Sequence, residues 1–127
     1  MFEFAFTTTS IIIEWLELTF DSRLLRRRCE SKVKARTDFG DQVAKKLWAR
    51  LADMRAAESP KDLLAGRPIV FTQANRECMS VALSDGFRIL FCANHNSVPL
   101  LKSGSVDWAL VSRIKILQIE RDHADSK

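Results

Sequence analysis

Arg88 is the first residue of this chain whose type and position point to chemistry. It is a cation in the middle of the alternating stretch Phe87-Arg88-Ile89-Leu90-Phe91-Cys92, where most positions are apolar. Arg113 and Lys115 are two residues apart in a second alternating stretch, so they share one face of that strand. A meander of neighbouring strands brings Arg88 alongside them. Three cations on one sheet face repel each other and cost stability unless a polyanion uses them. Phosphate is the natural ligand, because arginine binds it through two parallel hydrogen bonds. The plainer alternative pairs each cation with a carboxylate such as Glu77 or Glu120, or lets its head group reach into water.

His123 follows in Glu120-Arg121-Asp122-His123, just past the last alternating stretch. An imidazole on such a polar segment exchanges protons near neutral pH, although a solvated tail histidine reads the same way. Cys92 and His95 are three apart, and Cys78 with His123 would complete a Cys2His2 set. No second paired spacing accompanies them, and Cys78 and Cys92 sit inside apolar strands where free cysteine behaves as a small hydrophobe. No metal and no cofactor is expected. Cys29 falls on a buried helical stripe. The chain carries no nucleophile elbow, phosphate loop or glycine-rich dinucleotide fingerprint. Arg26-Arg27-Arg28 spreads its charge around a helix, for which a solvated face is the default and a nucleic-acid contact the alternative.

The elements that must position these groups follow from periodicity. Residues 14–20 alternate, with Leu16, Leu18 and Phe20 on one side and Glu17 and Thr19 on the other, which predicts a half-buried strand. Asp21 and Ser22 offer N-caps for a helix from Arg23 to about Asp38, with Leu24, Leu25, Cys29 and Val33 as its apolar stripe. Gly40 ends it and Asp41 caps a second helix over 41–58. There Val43, Ala44, Leu47, Trp48, Leu51 and Met54 follow the 3-and-4 spacing of a buried stripe. Ser59-Pro60-Lys61-Asp62 predicts one short helical turn over 60–65, closed by Gly66.

From Arg76 the period changes to two, and 77–83 reads as a strand with Met79, Val81 and Leu83 on one face. Ser84-Asp85-Gly86-Phe87 marks a hairpin into a strand over 87–92. After a loop over 93–107, the last strand, 111–120, places Ile114 and Ile116 on one face and Arg113, Lys115, Leu117 and Ile119 on the other. The expected fold class is α+β: two N-terminal helices packed on an antiparallel sheet, in the order β-α-α-β-β-β.

A length of 127 residues leaves room for one domain. With 46% apolar and 28% charged residues, the composition is that of a globular chain, not a disordered or fibrous one. No window approaches the roughly 18 uncharged apolar residues of a membrane span, so no membrane role is expected. Twenty basic against sixteen acidic residues give +4, a mild bias towards anionic partners. Three cysteines, an odd number in no paired spacing, predict a reducing cytoplasm. Residues 1–13 carry Glu3 as their only charge and interrupt their apolar residues with Thr7, Thr8, Thr9 and Ser10, unlike a secretory signal. They are read as an N-terminal extension of high β-propensity, ahead of a domain over 14–127.

The succession LELTFDSRLLRRRCE, FGDQVAKKLWARLADMRAAES, DLLAGRP, LSDGFRILF and DWALVSRIKILQIERDH resembles the RelE/ParE superfamily of bacterial toxins. Within it the HigB-like branch, the plasmid-maintenance killer proteins of type II toxin–antitoxin systems, is the best match. The similarity runs from Leu16 to about His123, and its most specific pieces are Gly86–Phe91 and Ile116–His123. The resemblance implies a RelE-like fold. It also implies a small ribosome-dependent endoribonuclease, an mRNA interferase that inhibits translation. In such enzymes basic side chains hold the scissile phosphate while the ribose 2′-OH attacks the phosphorus. Carried over, Arg88 matches the hairpin arginine, and Asp122 and His123 match the acidic-aromatic-histidine ending, with His123 for acid/base work. Arg113, Lys115, Arg121 and Arg76 are assigned to phosphate binding.

Two departures stand out. The chain has no tyrosine, and the strand before the hairpin reads Cys78-Met79-Ser80-Val81-Ala82 where RelE proper places lysines. The implied partners are the ribosome, mRNA and a HigA-like helix-turn-helix antitoxin, with operator DNA reached only through that antitoxin. Two alternatives remain open: a non-enzymatic, ParE-like gyrase poison, and a catalytically weakened relative that persists as an antitoxin-binding module.

Overall fold

The computed structural model describes residues 15–121. Strand β1 (Glu17–Phe20) leads into three helices, α1 (Arg23–Glu30), α2 (Lys32–Phe39) and α3 (Asp41–Ala56). A 3-10 turn at Pro60–Asp62 follows, then strands β2 (Ile69–Gln73), β3 (Arg76–Ala82) and β4 (Phe87–Ala93). A second 3-10 turn at Trp108–Leu110 precedes β5 (Arg113–Arg121). The strands form one sheet in the order β1-β5-β4-β3-β2. Among the described residues, no helix is long and apolar enough to cross a membrane.

The α+β class holds, but the order β-α-α-β-β-β and the antiparallel sheet do not. β1 runs parallel to β5, with Leu18 opposite Ile114, so the sheet is mixed. The single helix expected over 23–38 is two helices broken at Ser31, whose backbone is extended (φ −90, ψ 118). The Ser31 hydroxyl accepts a hydrogen bond from the Lys34 N–H at 3.2 Å, the mark of an N-cap. This break turns the stripe: Leu25 and Cys29 stay buried, Leu24 and Val33 are exposed, and Ala35 and Phe39 take their place in the core.

α3 matches its periodicity closely. Val43, Ala44, Leu47, Leu51 and Met54 are all buried, and Trp48 packs at their margin under Lys32 and Arg36. Gly40 both ends α2 and starts α3, so Asp41 is already helical and pairs with Arg36 and Lys45 instead of capping. The helical turn after Ser59 stops at Asp62, short of residue 65. Beyond it Gly66 (φ +85) lies against Val81, where a Cβ would collide with that side chain, and its carbonyl accepts from the Ala82 N–H at 2.7 Å. Glycine is required there twice over, for its backbone angle and for the close approach.

The β2 strand was not expected. It is joined to β3 by Ala74-Asn75, both at positive φ (53 and 61), which is the geometry of a type I′ turn. Neither residue is glycine, so the usual hairpin signal is missing. β2 also lies at the sheet edge with most of its residues exposed, so no alternation marks it.

The inner, helix-side face of the sheet supplies Met79, Val81, Ile89, Phe91, Ile114, Ile116 and Ile119 to the core. Ile119 belongs there and not beside Lys115, because β5 carries a bulge. Leu90 opposes Gln118 while Phe91 opposes Ile116, which leaves Leu117 as the extra residue. A bulge of one residue reverses the alternation beyond it.

Candidate nucleic-acid interface

The side chains of β1 to β5 that point away from the helices form rows set by the strand register. One row holds Glu120 and Arg88 with Ala82. The next holds Gln118, Leu90, Ser80 and Ile69. A third holds Thr19, Lys115, Cys92, Cys78 and Phe71. Beyond it stand Glu17 and Arg113 on one side and Arg76 and Gln73 on the other. Arg88, Arg113, Lys115 and Arg76 therefore share this outer face.

Sharing a face does not make them converge. Arg88 stands four residues from Cys92, the residue opposite Lys115, which separates the two cations by about 13 Å at the usual strand rise. Arg113 lies a further row away. No single phosphate reaches all three.

Two of these cations already have internal partners. Both Arg88 Nη2 (2.7 Å) and Arg88 Nε (3.2 Å) donate to Glu120 Oε2, and the guanidinium lies 5.9 Å from the Phe71 ring. Arg113 Nε stands 3.1 Å from Glu17 Oε1. Glu77 is not a partner of Arg88; its carboxylate accepts from Trp108 Nε1 at 2.9 Å and from the Val106 N–H at 3.3 Å. Arg121 departs from the expected set. It lies on the inner face beyond the bulge, with Nη2 2.9 Å from Asp85 Oδ2 and its guanidinium over the Phe87 ring. Asp122 and His123 lie outside the described residues, as does the extension over 1–13.

Lys115 and Arg76 differ. Among the described residues neither lies within ion-pair distance of a carboxylate. They flank the buried thiol of Cys92, whose pKa is raised by burial, against the lowering fields of Arg76 and, more weakly, Lys115. Cys78 and Cys92 face each other across β3 and β4, both buried and both free. His95 cannot complete a metal set with them as oriented, since Nε2 accepts from the Ser112 and Arg113 N–H groups.

One residue was missed from the sequence. Arg67 (φ 48) lines an open groove of about 340 Å³ together with Ile69, Ser80, Ala82, Gly86, Phe87 and Arg88. It sits in a connection with no periodicity, and only the tertiary approach of Gly66 to β3 carries it there. Chemically the outer face offers four strand cations against two carboxylates, with Phe71 half-buried beside the Arg88 guanidinium. Cations interleaved with an aromatic ring suit a single-stranded polynucleotide.

No protein-family model, curated protein or solved structure matches this chain.

Proposed function

We propose that the chain is the toxin of a type II toxin–antitoxin system, acting as a ribosome-dependent mRNA endoribonuclease. The observation that carries this reading is the outer sheet face, where Arg88, Lys115, Arg76 and Arg113 are spread around a buried floor of Cys78 and Cys92, with Phe71 at its β2 edge. Such a surface holds a backbone of phosphates electrostatically while a base stacks on the ring. Arg88 stands opposite Glu120, at the end of the sheet where β5 reaches Arg121. In this reading His123 is the acid/base group, Arg88 steadies the phosphate, and an antitoxin neutralises the toxin by covering this face.

The Arg88–Glu120 ion pair favours a second reading, that of a weakened relative which binds its partners without cutting RNA. An arginine already held by a carboxylate must exchange that partner for the substrate phosphate. Induced expression with and without the neighbouring gene separates the two. The nuclease reading expects growth arrest, new mRNA 5′ ends at translated codons, and loss of both in His123→Ala and in Arg88→Ala while each variant still unfolds cooperatively above the growth temperature. Growth arrest with intact transcripts removes it; arrest with lost DNA supercoiling points to a gyrase poison.

A further inference from the structure

Among the described residues the sheet ends in two different edges. β1 is four residues long and carries Glu17, features that discourage pairing with another chain. β2, at five residues, lacks the charge. Ile69-Val70-Phe71-Thr72-Gln73 contains no charge and no proline, and Ile69 and Val70 are 56% and 48% exposed. The two-residue turn at Ala74-Asn75 makes Gln73 and Arg76 a hydrogen-bonded pair, so Gln73, Phe71 and Ile69 direct their backbone groups at β3. The N–H and C=O groups of Val70 and Thr72 therefore point out of the sheet, and among the described residues nothing pairs with them.

The rim of this edge is basic. Arg67 precedes the strand, Arg76 follows its turn, and Arg88 lies over Phe71; β2 itself brings no carboxylate. A second copy of the chain fits poorly. Antiparallel pairing of two β2 strands about Phe71 sets Gln73 of one copy opposite Ile69 of the other, which brings Arg67 of one copy to the same end as Arg76 of the other and gathers like charges at both ends. We propose that the outer edge of β2 docks an extended, acidic segment of a partner protein, which adds to the sheet as a further strand. The inference rests on this edge alone and holds whether or not the chain cuts RNA.

The test uses the full chain, 15N-labelled, and a synthetic nine-residue peptide alternating valine and threonine between terminal glutamates. In the free chain the Val70 and Thr72 amides exchange rapidly with solvent. Saturating peptide slows both at least about tenfold, as main-chain pairing requires. Val70→Pro removes an outward N–H without touching the ladder to β3, and it weakens binding about tenfold or more with the thermal midpoint kept. A peptide N-methylated on its edge-facing amides fails in the same way and leaves the protein unaltered. Lysines in place of the glutamates weaken binding by a similar factor. Amides already protected in the free chain, equal binding by the N-methylated or lysine peptide, or self-association that Val70→Pro abolishes would each overturn the proposal.

Discussion

The two faces of one sheet solve opposite problems with the same strands. On the helix side Ile89, Phe91, Ile114 and Ile116 are completely buried beneath α3, and Phe91 meets Trp108 edge-on with ring centroids 6.1 Å apart. One residue away along each strand stand Arg88, Arg113 and Lys115, facing outward with their charges partly matched by Glu120 and Glu17. The bulge at Leu117 is what lets both faces exist on β5. Without the extra residue, strict alternation would turn Ile119 outward and Glu120 into the core, and Arg88 would lose its partner. Most buried apolar side chains thus lie on the inner face, and the outer face carries its charges around a small buried floor of Leu90, Cys78 and Cys92.

The sharpest way to break this contrast is to truncate a ring on the inner face. Phe91→Ala removes the largest fully buried side chain among the described residues and leaves Trp108 without its edge-on ring neighbour. Such a cavity costs about 3–5 kcal/mol. Urea unfolding should show that loss as a lower midpoint at unchanged slope. A loss below about 1 kcal/mol would mean that the inner face does not dominate stability.

Much of the inner face was legible in the sequence, because burial against one partner leaves a period. The stripe of α3, the Asp85-Gly86 turn and the alternation of Ile89 and Phe91 were read directly, and each lies where local propensity and tertiary packing agree. What escaped shares a different character. β2 is an edge strand exposed on both sides, and its type I′ turn is built from Ala74 and Asn75 in place of glycine. Ser31 caps a helix from the middle of a charged run, where its neighbours gave no sign of an end. The bulge at Leu117 has no local signature. The outer-face cations were legible as residues but not as a geometry, since register alone decides that Lys115 stands opposite Cys92 and Arg121 on the inner side. Arg67 left no trace at all.

A smaller effect tests the helix side by pH. Burial of Cys29, partly offset by the Arg28 charge, raises its thiol from the ordinary 9.0 to about 11. The folded value lies above the unfolded one, so the folded chain keeps its proton longer. The resulting stabilisation is complete below pH 9 and is lost as pH rises towards 11. Two units correspond to roughly 2–3 kcal/mol. Since the chain has no tyrosine, phenol ionisation does not confuse this range. Unfolding free energy measured at pH 8.5 and pH 10.5 should fall more steeply for the parent chain than for Cys29→Ala. Equal slopes would show that the thiol is not held away from water.

The smallest expected effects lie on the outer face, and they distinguish its two ion pairs. Arg113 and Glu17 are each 61% exposed at their side chains, so water and salt screen them, and Arg113→Ala should cost no more than about 0.5 kcal/mol. Arg88 and Glu120 are 32% and 26% exposed and share two hydrogen bonds, so the same truncation there leaves a half-buried charge without its counterpart. Glu120→Gln should cost about 1 kcal/mol, discounted for the solvent that still reaches the pair. It should also release the Arg88 guanidinium, so that affinity for a short single-stranded RNA rises as stability falls. These two changes in opposite directions, read from thermal melts and fluorescence titrations of one variant, identify Glu120 as the group that competes with phosphate for Arg88. A variant that loses RNA affinity together with stability would show instead that the carboxylate holds the arginine in its binding geometry.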